Sequence, residues 1–245
     1  SHTALSLIEK GNSVSIIDNL TTGNKKLIPN KAKYYKCDIA DQKLIQKIIS
    51  DNNFNLVIHF AGLTRVDESI RYPDKYDYNN FEKSKIFFES CINNKIKNII
   101  FSSTASVYGD NNSSYIKETE NLNPMNPYAK SKLKIEEYLI QKAKEKKISY
   151  IILRYFNVAG ADIKNRSGLI SKNSSNLVKV LCEVATNKRD KITINGNDYK
   201  TKDGTAIRDF IHVSDIADMH YVVAKFMLKE TFSDVYNCGY GSGYS

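Results

Sequence analysis

Apolar, β-branched runs recur along the chain, separated by longer stretches in which apolar residues return every three or four positions. The runs "SVSII" (13–17), "NLVIHF" (55–60), "KNIIFSS" (97–103) and "SYIILRYF" (149–156) are almost continuously apolar. Strands covered on both faces have that character. "DQKLIQKIISDN" (41–52) and "NFEKSKIFFESCINNK" (80–95) carry the helical period instead. Strands alternating with helices imply right-handed crossovers and a doubly wound parallel sheet, so the expected class is α/β. After about residue 160 the rhythm changes: "NRSGLISKNSSN" reads as loop, "LVKVLCEVATNK" as helix, "KITING" as strand and "GNDYKTKDGT" as a polar, turn-rich loop. The expected division is a sheet domain over 1–160. Residues 161–245 would form a smaller part that closes over it, with some segments returning to the sheet. The closing "VYNCGYGSGYS" reads as a strand and a glycine turn. No 20–50-residue repeat is apparent.

Composition changes this picture little. A chain of 245 residues, 41% hydrophobic, can bury a proper core. Its net charge of +9 comes from lysines spread along the chain among Asn and Ile. The densest run, "KAKEKK" (142–147), ends a helical pattern, where cations favour the helix dipole anyway. No basic face emerges, so no nucleic-acid partner is expected, though the surplus charge would help draw in an anionic small molecule. The four cysteines (Cys37, Cys91, Cys182, Cys238) lie far apart without metal-type spacing. They suit buried thiols in a reducing, cytoplasmic setting, and no metal is expected. No apolar run approaches the ~20 residues of a membrane span.

Two local patterns suggest chemistry. The opening helix–Gly11–strand stretch ends in Asp18, the place where a dinucleotide fold holds an adenosine ribose; an Asp that initiates a loop is the plainer reading. In "NPYAKSK" (126–132), Pro127 suits a first helical turn, which sets Tyr128 and Lys132 one turn apart on one face. A phenol with pKa near 10 is a poor base at neutral pH. A neighbouring ammonium together with a cationic nicotinamide would favour its ionised form. The spacing alone is weak, since it recurs at Tyr138/Lys142 and Tyr221/Lys225. Context singles out the first pair: a strand ending in Ser102, Ser103 and Thr104 precedes it and "YIILRYFN" follows. In a parallel sheet those strand ends meet at the ligand crevice, where a hydroxyl and the Tyr/Lys pair can converge on one sugar. His59 and His212, in apolar strands, read as packed core histidines.

The ordered set "DNL", "CDI", "VIHFAGL", "FSSTASVYGD", "NPYAKSKL", "LRYFNVAGA" and "GNDYKTKDGTAIRDFIHVSDIADMH" resembles the UDP-glucose 4-epimerases of the extended short-chain dehydrogenase/reductase family, over essentially the whole chain. The resemblance implies a Rossmann-type sheet, NAD as cofactor, a UDP-hexose as substrate and a homodimer. NAD would oxidise the sugar at C4 and return the hydride to the opposite face of a 4-keto sugar. By the same resemblance Tyr128 is the acid/base, Lys132 its electrostatic partner and nicotinamide-ribose ligand, and Thr104 the hydroxyl bridging sugar O4 and Tyr128. Asp18 would take the adenosine ribose, Asp38 and Ile39 would flank the adenine, and Asn19 would also bind the cofactor. Phe60, Ala61, Gly62, Asn79 and Ser102 would line the cofactor, with Tyr155 at the nicotinamide. Asn157 and Arg208 would meet the diphosphate, and Asn176 and Leu177 the uridine; Asn176 could equally cap the helix that follows it.

Three positions depart from the family pattern. Thr64 stands where a lysine reaches the cofactor ribose, Asn195 where an aromatic packs on uracil, and Lys179 where a proline is common. Related sugar-nucleotide dehydratases carry Asp-Glu just after the strand-end Thr. Here Ala105 and Ser106 follow it, neither able to move a proton in an elimination, which favours epimerisation. A non-catalytic nucleotide-binding regulator is the alternative from another class; the intact Thr104/Tyr128/Lys132 set argues against it. The resemblance also places Ser1 just after a Gly-x-x-Gly-x-x-Gly turn. The 245 residues are therefore expected to lack the first strand and that turn, to leave two strands facing a gap, and to be inactive alone.

Overall fold

The sheet arises where the apolar runs predict it. In the computed structural model, which describes residues 1–110, 115–171, 174–194 and 196–245, helix α1 (His2–Glu9) leads to β1 (Ser15–Ile17), β2 (Lys33–Tyr35) and α2 (Gln42–Ser50). Then come β3 (Leu56–His59) and the short helices α3 (Val66–Arg71) and α4 (Pro73–Tyr76). One wide π-helical turn, Asp77–Glu82, joins α4 to α5 (Lys83–Asn93). Next are β4 (Asn98–Thr104), α6 (Pro127–Lys144), β5 (Ser149–Tyr155), β6 (Asn157–Ala159) and α7 (Leu177–Ala185). The chain ends with β7 (Arg208–His212), α8 (Val213–Met227), β8 (Asp234–Cys238) and β9 (Gly243–Tyr244).

Strands β3, β4, β5 and β8 form a parallel sheet in that order, and β1 pairs with β2 in a separate parallel ribbon. A third sheet, β6-β7-β9, ends in an antiparallel pair. The two-residue period divides β4 and β5 between the faces of their sheet. Ile99, Phe101 and Ile152 pack with Ile45, Ile48, Phe87, Phe88, Ile135 and Leu139 from α2, α5 and α6. Ile100, Ile151 and Leu153 pack on the opposite face with Ile216, Ala224 and Met227 of α8. Covering on both faces is why these strands read as continuously apolar. β1 and β3 are not hydrogen-bonded to each other; a cavity of about 930 Å³ lies between them and is lined by Val14–Ile17 and Leu56–His59.

Three sequence expectations are corrected. Lys191–Ile194 of "KITING" is irregular, because no neighbouring strand offers it a ladder; Asn195 lies outside the described residues. His59 is buried as expected, but His212 is exposed at the end of β7. Its Nδ1 accepts from the Ser214 N–H at 3.2 Å and caps α8, a polar task that keeps it at the surface. Ser103 turns away from the strand-end cluster and bonds the Glu136 carboxylate in the interior, since neighbours on a strand face opposite sides.

Candidate active site

Helix α6 begins where its sequence says it should. Asn126 accepts from the Ala129 N–H at 2.9 Å and Pro127 occupies the first turn. Tyr128 and Lys132 then lie one turn apart, beside the end of β4. Lys132 is 3% exposed, and its Nζ donates to the Ser102 carbonyl at 2.9 Å and sits 4.9 Å from the centre of the Phe101 ring. A Cβ placed on Gly62 would stand 3.7 Å from that Nζ, so the loop after β3 closes directly on the lysine. Thr104 is buried at the strand tip. Its Oγ1 accepts from the Ser106 N–H at 3.2 Å, and its hydroxyl lies beside the Tyr128 phenol.

Burial dominates at Tyr128: it raises the phenol's pKa, and the Thr104 hydroxyl only partly opposes that rise. Burial in turn pushes the Lys132 pKa down to about 8, with Glu136 working the other way. The lysine's geometry suits holding the strand tip, and its charge stands one helical turn from the phenol.

The cofactor-side residues converge. Asp18, Asn19, Asp38, Ile39, Phe60, Ala61, Gly62, Asn79 and Tyr155 all line the cavity between β1 and β3. Asp18 Oδ1 accepts from the Leu20 N–H at 2.7 Å, so it also organises its loop. A Cβ on Gly23 would stand 2.7 Å from Asp18 Oδ2, so a larger residue there would have to displace the Asp18 carboxylate. Asp38 accepts from Lys83 Nζ at 2.6 Å and from Asn19 Nδ2 at 3.0 Å. Burial opposes its charge, but Lys83, the Ala40 N–H and Asn19 outweigh it and hold the carboxyl below the usual range. The folded-state pKa of Asp38 is therefore depressed. The pair stabilises the fold above the unfolded carboxylate pKa, and that contribution is lost as pH falls through the folded value. Lys83→Met should cost up to about 1 kcal/mol at pH 7, and the difference from wild type should vanish once the pH is below the folded-state value of Asp38. Thermal melts across that range check it; a difference that persists in acid would separate Lys83 from Asp38.

The substrate-side residues gather on the third sheet. Asn157 opens β6, which pairs with β7, and Arg208 opens β7; both are exposed. Asn176 caps α7 through Lys179 N–H (3.1 Å) and also donates from Nδ2 to the Val158 carbonyl at 3.2 Å, which ties the helix start to β6. The capping reading is therefore met, with Leu177 half-exposed next to it. Lys179 pairs with Glu183 on the same helix. Thr64 is exposed on the loop after Gly62 and Leu63.

Several contributors escape a reading of the sequence. The π-turn brings two consecutive asparagines to bear: Asn79 lines the cavity while buried Asn80 holds the Leu63 backbone (2.7 and 3.0 Å) and Ser131 Oγ (3.1 Å). Wide turns of this kind are frequent at functional sites. Behind Lys132, Glu136 and Arg154 form a buried ion pair (2.6 Å), which Tyr108 and Asn237 extend. Nothing local in "KIEEY" marks Glu136 for the interior; its partner comes from the following strand.

The model of the NAD dependent epimerase/dehydratase family matches residues 1–239. The chain belongs to that family. Within the family it is 38% identical to UDP-glucose 4-epimerase of Lactobacillus helveticus over 245 residues, covering 100% of this chain and 74% of that protein. Among solved structures, UDP-glucose 4-epimerase from Brucella ovis in complex with NAD matches with a TM-score of 0.96 at 34% identity, covering 100% of this chain and 75% of that one. The enzyme from Bifidobacterium longum in complex with NAD+ and UDP matches at 0.94 and 34% identity, covering 100% and 76%. The family's cofactor is NAD, and the cavity lining carries groups suited to it: the Asp18 and Asp38 carboxylates, which can accept from ribose and adenine, and the Phe60 and Tyr155 rings. Among the described residues no His, Cys, Asp and Glu group could hold a metal, and no helix is long and apolar enough to cross a membrane.

Proposed function

We propose that this member of the epimerase/dehydratase family interconverts UDP-glucose and UDP-galactose at C4 and uses Thr104, Tyr128 and Lys132 to do so. The observation that carries the reading is the meeting of a strand-end hydroxyl, a helix-borne phenol and a buried ammonium, the last against Gly62 of the cavity wall. Tyr128 takes the proton of the sugar 4-hydroxyl and returns it, and Thr104 holds that oxygen in line. Lys132 fixes the Ser102 carbonyl and a ribose hydroxyl. When bound, NAD supplies the hydride acceptor and donor and adds the second positive charge that ionisation of Tyr128 needs. Asp18, Asn19, Asp38, Ile39, Phe60, Ala61, Gly62, Asn79, Ser102 and Tyr155 hold it. Arg208 and Asn157 take the diphosphate, for which a guanidinium is suited, and Asn176 with Leu177 takes the uridine. Ala105 after Thr104 leaves no acid/base pair for eliminating water, which supports epimerisation over dehydration.

The division into a cofactor part over 1–160 and a mainly substrate-binding part over 161–245 belongs to the same reading, with β8 as the segment that rejoins the sheet. So do a homodimer and a cytoplasmic setting; three buried free thiols, Cys37, Cys91 and Cys238, suit a reducing compartment. The test is direct: the protein as made in its own cells, supplied with NAD and UDP-galactose, should form UDP-glucose and reach the same mixture from either side. Tight NAD binding without interconversion would favour the regulator instead.

A further inference from the structure

His220, on α8, is a fully buried side chain whose two ring nitrogens are both engaged. Nδ1 lies 2.7 Å from the Ile216 carbonyl oxygen one turn earlier, and Nε2 lies 2.7 Å from the Tyr155 hydroxyl. The Phe60 ring covers the imidazole at 4.9 Å between centres. Both Phe60 and Tyr155 line the cavity, so the histidine stands directly behind its wall.

The hydrogen-bond directions follow from what each atom can do. A carbonyl oxygen only accepts, so Nδ1 carries a proton. Burial holds the imidazole pKa at about 4, so at neutral pH there is no second proton and Nε2 is a bare acceptor. The phenol hydrogen of Tyr155 is therefore given to Nε2. We infer that His220 is a positioning residue for Tyr155: it takes the phenol's only hydrogen, so that the Tyr155 oxygen meets a ligand in the cavity as an acceptor alone. Such an oxygen welcomes an N–H or O–H group and rejects a carbonyl presented in its place. The amide N–H of the nicotinamide carboxamide is a donor of the right kind, and this step rests on the reading that the nicotinamide end of NAD lies at Tyr155. The pair would then choose which way round the carboxamide is held.

Two experiments test this, and they fail separately. In the histidine-15N-labelled protein, with His220→Gln to assign the signals, His220 should show a protonated Nδ1 and an unprotonated Nε2 at pH 7. A proton on Nε2 would overturn the inference whatever the cavity binds. NAD affinity by calorimetry is the second. His220→Leu should weaken binding by about tenfold, the worth of one hydrogen bond; His220→Gln, which keeps an acceptor, should stay within about threefold; and His220→Leu should add nothing in a Tyr155→Phe background. Loss from His220→Leu that persists in that background, or a glutamine variant that melts like wild type and binds as poorly as leucine, would reduce His220 to packing. If Tyr155→Phe alone leaves NAD affinity unchanged, the placement of the cofactor at Tyr155 is what fails, and the positioning role falls with it.

Discussion

Tyr128→Phe is expected to lower kcat by about 10²- to 10⁴-fold, the range general acid–base catalysis supplies, with NAD affinity and melting temperature close to wild type. The substitution removes one oxygen and leaves the ring in place. The Asn126 cap and the bond from Lys132 to the Ser102 carbonyl do not involve the phenol, so α6 and the strand tip keep their geometry. What is lost is the group that moves the sugar proton, and that loss belongs to the chemical step; KM should change little. Because burial raises the Tyr128 pKa in the protein itself, ionisation depends on charge brought in with the cofactor. The phenol should therefore titrate at lower pH with NAD bound than without it, and the acid limb of the pH–rate profile, where the base must lose its proton, should follow the NAD-bound value. Activity within a few-fold of wild type would take Tyr128 out of its role.

How much of this was legible in the sequence depended on whether a residue's partner was local. Strands β3, β4 and β5 announced themselves because both faces are covered, and α6 did so through its Asn-Pro start. The Tyr128/Lys132 spacing follows from one helical turn, whereas most of the cavity-lining set was implied only by the family resemblance. The failures are non-local. "KITING" has a strand's composition but finds no strand to pair with. His212 sits in an apolar run yet serves the next helix as its cap. Asn80 becomes a staple only because a wide turn rotates it toward Leu63 and Ser131. The bond from Lys132 to the Ser102 carbonyl, thirty residues earlier in the chain, is likewise invisible in the Tyr128/Lys132 spacing.

The buried pair behind the site yields the largest expected loss of stability. Glu136 is 0% and Arg154 3% exposed, and they meet through Nε and Nη2 in a two-pronged contact at 2.6 to 3.2 Å. Arg154 Nη1 also donates to the Tyr108 hydroxyl at 2.8 Å, and that hydroxyl donates to Asn237 Oδ1 at 2.7 Å. Arg154→Leu leaves a carboxylate in the interior with only Ser103 to satisfy it, a change that costs about 3–5 kcal/mol. For a chain of this length that is a fall of roughly 6–20 °C in melting temperature. Glu136→Leu should cost as much by stranding the guanidinium. The double variant should be less damaging than either single one, because neither charge is then left alone and an apolar pair of similar volume is tolerated where an ion pair was. Additive losses in the double variant would mean that the two side chains act separately. Since Ser103 adjoins Thr104 and bonds the Glu136 carboxylate, Arg154→Leu should also lose more activity than the double variant at a temperature where both are folded: the stranded carboxylate pulls on the strand that presents the threonine, and removing it releases that strand.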